Sequence, residues 1–195
     1  MKKISIFLLV ALTAFATANA QFTMVGGGLD FTSGYHFHNV NYIGNKSGMA
    51  AITLKGIYKI NVPIRISPTI TFFVPHIYTG EVNMKETVNT MMIDINGNYV
   101  FNTLDKFEFF GIAGFDILLG WNKTKYTGTA AATYKESDNA LGLNLGAGSF
   151  MKLTDQFNLY LEAKYLLSKY NQFMLDAGIL INIDWLKKHE NTVIN

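Results

Sequence analysis

Charged side chains recur at wide intervals in this 195-residue chain, each in a segment that is otherwise apolar at every second position. Asp30, Lys55, Arg65, Asp94, Asp116, Glu162, Lys164 and Asp176 make up that set. Carboxylates and cations taken out of water must be paired and hydrogen-bonded, so these residues can build an interior ionic network that fills and stiffens a core. The same residues can also line a narrow polar path for ions or small solutes. A second group gathers early: Ser33, His36 and His38, with Asp30 just before them. Two imidazoles on one side of an extended stretch are metal-ligand types. No cysteine and no adjacent third ligand complete a site, and His76 belongs to another connection, so no metal is assigned. Ser33, His36 and Asp30 hold the groups of nucleophile, base and acid. A base must lie within hydrogen-bond reach of its nucleophile; spacing along a loop does not supply that, and no catalytic residue is assigned. GNKSG and TGTAAAT match no phosphate-binding pattern, which leaves no cofactor site.

The elements that must carry the charged set are strands. Apolar and polar residues alternate in eight segments, at 22–32, 49–60, 64–77, 90–102, 107–122, 139–153, 157–169 and 173–183. Most run to 11 residues or more, against about five or six in ordinary soluble strands and ~9–11 for a strand that crosses a membrane. In the seventh, Phe157, Leu159, Leu161, Ala163, Tyr165 and Leu167 oppose Asn158, Tyr160, Glu162, Lys164, Leu166 and Ser168. In the last, Ala177, Ile179, Ile181 and Ile183 oppose Asp176, Gly178 and Asn182, with Leu180 as the exception. No charged residue falls on the apolar face of any segment, where an Arg or Lys would cost ~2–4 kcal/mol at a membrane midplane.

The polar faces are built from small residues, such as Gly142, Asn144, Gly146 and Gly148, and their charges nearly balance. Both features fit a crowded lumen better than the water-facing side of a soluble lipocalin-like barrel. Long connections follow the first, third and fifth strands, and tight ones follow the second, fourth and sixth. That asymmetry is the layout of an outer-membrane barrel with both termini in the periplasm. Tyr99, Phe107, Trp121, Phe157, Tyr165 and Phe173 stand near strand ends, where aromatic girdles meet the membrane interface. Pro68 fits poorly, because a closed ring has no free edge for a residue without an N–H. A bulge or a late strand start is expected there.

The first 20 residues read as a cleaved signal peptide: Met1-Lys2-Lys3, an apolar run, then Ala18-Asn19-Ala20. Removing Lys2 and Lys3 takes the formal net charge from +2 to 0, which leaves no basic stripe for nucleic acid. The barrel is then expected over 21–184, with 185–195 as a periplasmic tail containing Trp185, Lys187 and Lys188.

VGGGLDF, NGNYVFN, FGIAGFDILLGW and LGLNLGAGSFMKL leading to LYLEAKY, in this order and spacing, resemble the small outer-membrane barrels of the OmpX and OmpA-transmembrane type. The likeness extends over the mature chain and is greatest to the outer membrane protein beta-barrel domain family common in Bacteroidetes. It implies a closed eight-stranded antiparallel up-and-down transmembrane β-barrel in the bacterial outer membrane. The implied partners are membrane lipid, the barrel assembly machinery and an extracellular ligand met through the loops. That family ends its last strand with a signal read by the assembly machinery, which Asp176, Gly178, Ile181 and Ile183 match; this chain runs 12 residues further than relatives that stop at a terminal aromatic. An eight-stranded lumen is filled by side chains, so the role expected of the barrel is structural or surface-interactive. The alternatives are a narrow channel and, as in some small outer-membrane barrels, a lipid-modifying enzyme using Ser33, His36 and Asp30.

Overall fold

The computed structural model describes residues 22–36, 46–47, 50–61, 63–79, 83–127 and 131–183. The expected signal peptide, the tail at 185–195 and His38 lie outside these residues. Eight long strands follow one another: β1 (Phe22–Thr32), β2 (Ala50–Asn61), β3 (Ile64–Phe73), β4 (Met84–Leu104), β5 (Phe107–Tyr126), β6 (Ala132–Lys152), β7 (Phe157–Ser168) and β8 (Gln172–Asn182). Each pairs antiparallel with its neighbours in the chain, and β1 pairs with β8 from Met24↔Asn182 to Thr32↔Met174. The sheet therefore returns on itself and leaves no long open edge around the ring. A ninth, three-residue strand, His76–Tyr78, pairs with β4 beyond the point where β3 leaves it. It continues the third stave instead of adding one, so the ring holds eight staves. Tyr35–His36 and Lys46–Ser47 form a separate two-stranded ribbon.

Period-two patterning decides which side is which. Leu54, Ile95, Phe115, Leu143, Leu161 and Ile179 are exposed on the outer wall, whereas Thr53, Lys55, Asp94, Asn96, Asp116, Asn144, Glu162 and Lys164 are buried inside. A belt of large apolar side chains around a polar interior is the arrangement that hydrocarbon selects. The soluble alternative, with its apolar face inward, is thereby overturned. Tyr99, Phe107, Trp121, Tyr165 and Phe173 are all exposed on this wall near the strand ends.

The structure corrects several boundaries. β4, β5 and β6 run well past their expected limits, so that segments 84–89, 123–126 and 132–138 are strand where loops were expected. Thr and Tyr recur there, with Val88, and β-branched and aromatic residues suit extended backbone. β3 stops at Phe73, next to Val74 and Pro75, since a proline has no N–H to give the ladder. β8 ends at Asn182, so Ile183 lies beyond the last paired residue. Pro68 sits inside β3 with neither of the expected adjustments: it faces Ile95 of β4 in unbroken register. On its other side the pairing between β2 and β3 lapses only from Lys55↔Thr69 to Tyr58↔Ile66, with the register kept across the gap.

The connections from β2 to β3, from β4 to β5 and from β6 to β7 lie at the barrel end that also holds the start of β1 and the end of β8. Asp105 takes a positive φ of 50° in the two-residue turn between β4 and β5. The connections at the other end are longer, except for the 169–171 turn between β7 and β8.

Candidate functional site

The lumen is layered. Near the end with the short turns, Ile57, Phe110, Ile112, Phe150, Tyr160 and Leu180 form one apolar cluster, with the Phe110 and Phe150 rings stacked at 4.4 Å. Toward the other end Phe73, Val88, Met92, Leu118, Leu166, Tyr170 and Met174 belong to a second. Between them lies the ionic layer. Lys55 Nζ reaches Glu162 at 2.6 Å and Asp176 at 2.9 Å, and it sits 4.1 Å over the Tyr160 ring. The Tyr160 hydroxyl donates to the other Asp176 oxygen at 2.9 Å. Lys164 pairs with Asp94 at 2.5 Å. Thr53 donates to Asp30, and Asn144 donates to Asn96 at 2.9 Å. Asp116 is buried in the same layer, with both carboxylate oxygens lacking a hydrogen-bond partner among the described residues.

Seven of the eight charged residues singled out from sequence thus share one layer. Arg65 does not. It stands at the short-turn mouth, paired with Glu108 at 2.5 Å and lying 5.3 Å over the Phe150 ring. There it borders an open vestibule of about 890 Å³ with Lys59, Lys106, Lys152 and Asp155. The near balance of lumen charge expected from sequence also fails. Within the layer two lysines, Lys55 and Lys164, face five carboxyls, those of Asp30, Asp94, Asp116, Glu162 and Asp176. Lys59 and Lys152, on the same faces of β2 and β6, are exposed at the short-turn mouth.

Two glycines make the layer possible. Gly28 and Gly178 are directly opposite across the β1–β8 pairing, and Tyr160 faces Gly178 from β7. A Cβ on Gly178 would lie 2.7 Å from the Tyr160 ring, and one on Gly28 would collide with its hydroxyl. Gly178, singled out as part of an assembly signal, therefore also clears the space through which Tyr160 reaches Asp176. Leu180 looked like an exception on its strand, but it is fully buried in the lower apolar cluster. The signal was present in Leu166, Leu118, Met92 and Phe110, large apolar residues at lumen positions.

The Ser33, His36 and Asp30 grouping is not assembled. Asp30 turns into the lumen toward Thr53, and Ser33 Oγ accepts the Phe173 amide at 3.0 Å at the exposed rim. Around that rim Lys169 and Tyr170 both donate to Asp138, which holds its carboxyl below the usual range.

Beyond the ring, β4, β5 and β6 continue together as a projecting three-stranded sheet, paired out to Met84↔Tyr126 and Tyr126↔Ala132. Asn122 ties to Glu86 at 2.6 Å, and the Tyr126 and Tyr134 rings meet edge to face at 6.0 Å. On its far side β6 pairs with β7 from Gly142 to Lys152.

The family model for the outer membrane protein beta-barrel domain matches residues 4–187. Among solved structures, Ail, the attachment invasion locus protein of Yersinia pestis, superposes with a TM-score of 0.54 at 13% identity, covering 83% of this chain and 99% of its own. A major outer membrane protein from Thermus thermophilus gives 0.55 at 12% identity, covering 80% and 98%. Neisserial surface protein A gives 0.51 at 14% identity, covering 84% and 99%. At these identities the likeness is one of fold. No curated protein matches the chain.

Proposed function

Because this chain belongs to the outer membrane protein beta-barrel domain family and is a bacterial outer-membrane protein, we propose that it is a lumen-filled barrel with a structural or surface-interaction role. The observation that carries this reading is the layered lumen. An ionic layer lies between two apolar clusters whose members Met92, Met174, Ile57 and Leu180 have no solvent exposure. An eight-stranded ring has an interior that side chains fill, and here they fill it with groups that repel a hydrated ion. Planar-bilayer recording tests it. The reconstituted protein should stay silent; discrete openings that vanish in Lys164→Met would establish the narrow-channel alternative instead.

In this reading the three tight turns and both termini face the periplasm, and the projecting sheet stands outside the cell, where it can meet an extracellular ligand. The chain has no cysteine, so single Ser137→Cys and Thr154→Cys variants report orientation cleanly. A membrane-impermeant maleimide on intact cells should label the first and spare the second; the reverse pattern would invert the topology. The last strand, through Asp176, Gly178, Ile181 and Ile183, is read as the signal for the barrel assembly machinery, with outer-membrane lipid as the surrounding partner. Ile183 lies past the ladder, so Ile183→Asp should lower membrane levels without changing the stability of refolded protein. Unchanged membrane levels would remove the signal from this residue.

A further inference from the structure

We infer that Thr69, Asp94, Asp116 and Asn144 form an interior site for a calcium ion, enclosed within the lumen. Register places them together on four adjacent strands. Thr69 of β3 lies directly opposite Asp94 of β4, and Asp94 directly opposite Asp116 of β5. Asp116 in turn faces Gly142 of β6, where a Cβ would collide with Asp116 Oδ2. Asn144 follows two residues further along the same face of β6, as a diagonal neighbour of Asp116. All four side chains are buried in the lumen, none of them more than 3% exposed.

Their unpartnered atoms are all oxygens. Thr69 Oγ1, Asp94 Oδ1, both carboxylate oxygens of Asp116 and Asn144 Oδ1 are buried and lack a hydrogen-bond partner among the described residues. The bonds around them decide which atoms are left over. Lys164 takes Asp94 Oδ2 at 2.5 Å, and Asn144 commits its amide nitrogen to Asn96 Oδ1 at 2.9 Å, which leaves Asn144 its carbonyl oxygen. Like charges placed directly across a strand pair repel, and a buried carboxylate without a partner is costly. A cation between Asp94 and Asp116 answers both costs at once. Charge and donor type then select the ion. Five carboxyls share the layer with two lysines, which leaves three surplus negative charges; a divalent ion offsets two of them and a monovalent ion only one. Carboxylate, hydroxyl and amide oxygens suit hard cations. Magnesium gives up its water reluctantly, whereas calcium accepts a flexible shell of protein oxygens. The oxygens here are sealed from solvent between the two apolar clusters, which favours calcium and means that the ion is taken in as the ring closes.

The test is to refold the protein from urea into zwitterionic micelles in calcium, magnesium or sodium chloride. Loose ions are then removed by gel filtration over a chelating resin, and retained metal is measured by elemental mass spectrometry. Calcium should be retained in stoichiometric amount, and the urea midpoint should rise with the logarithm of the calcium concentration during refolding. Asp116→Asn should lose both responses and yet be more stable than the parent in chelator, because an uncompensated buried charge is gone. Thr69→Val, which keeps the side-chain shape, should retain less calcium than the parent. Asp105→Asn combined with Asp155→Asn removes exposed carboxylates at the short-turn mouth and should change neither reading. No retained calcium in the parent, or equal retention in Asp116→Asn, would overturn the site. Magnesium or sodium held as well as calcium would overturn the choice of ion.

Discussion

Lys55 holds two carboxylates at once, Glu162 and Asp176, and all three side chains are almost fully withdrawn from solvent. A buried pair broken from one side leaves a charge with nothing to answer it. Lys55→Met should therefore destabilise the folded barrel by ~3–5 kcal/mol, read as a lower urea midpoint in micelles. Adding Glu162→Gln and Asp176→Asn to it should return most of that loss. Gly178 works through space instead of charge. Gly178→Ala drives a methyl against the Gly27 carbonyl and the Gly28 Cα first and the Tyr160 ring next, and should cost ~1–3 kcal/mol as an overpacked site. Tyr160→Leu in the same background should relieve part of the cost; a purely additive double variant would show that the ring and the glycine do not compete. The sequence made the charged residues easy to find, because a carboxylate or ammonium amid alternating apolar residues is conspicuous. It did not show who pairs with whom. Arg65 looked equivalent to Lys164, yet a few residues of stagger between strands carry it out of the layer and set it beside Glu108.

At the scale of the element, the strands were legible where lipid enforces alternation and illegible where it does not. Residues 132–138 are exposed on both faces apart from half-covered Ala132 and Asp138. With water on both sides of a strand, polar residues are tolerated at every position and the period-two signal fades. Only cross-strand bonding and the extended preference of Thr133 and Tyr134 keep the chain extended there. The sheet should accordingly be an independent appendage. Replacing 123–135 with a two-residue Asn-Gly turn should leave insertion intact and shift the unfolding midpoint little, as judged by the heat-modifiable gel band. Loss of the folded band would show that the appendage supports the ring. The apolar clusters were the other missed feature. Leu166 and Leu180 break the alternation of their own strands and read as noise singly, but closure of the ring gathers such exceptions into two packed groups.

For the whole molecule, closure matters most, since a membrane-spanning sheet must satisfy every backbone donor and acceptor within itself. Seven of the eight pairings join strands adjacent in sequence and can form as local hairpins. The eighth, between β1 and β8, joins residues about 150 positions apart, and it carries Gly26, Gly27 and Gly28 opposite Leu180, Ile179 and Gly178. Backbone entropy is greatest for glycine, and distant contacts repay their closure cost last. The seam is therefore the zip of the molecule, late to shut and early to part. Amide hydrogen exchange should be fastest, among ladder positions in the membrane, at Gly26–Gly28 and their β8 partners, and slowest along β5 and β6. Uniform protection around the ring would mean that the barrel opens only as a whole. If the seam does part first, this glycine run is where a nascent barrel would stay open longest in the membrane before its last strand is captured.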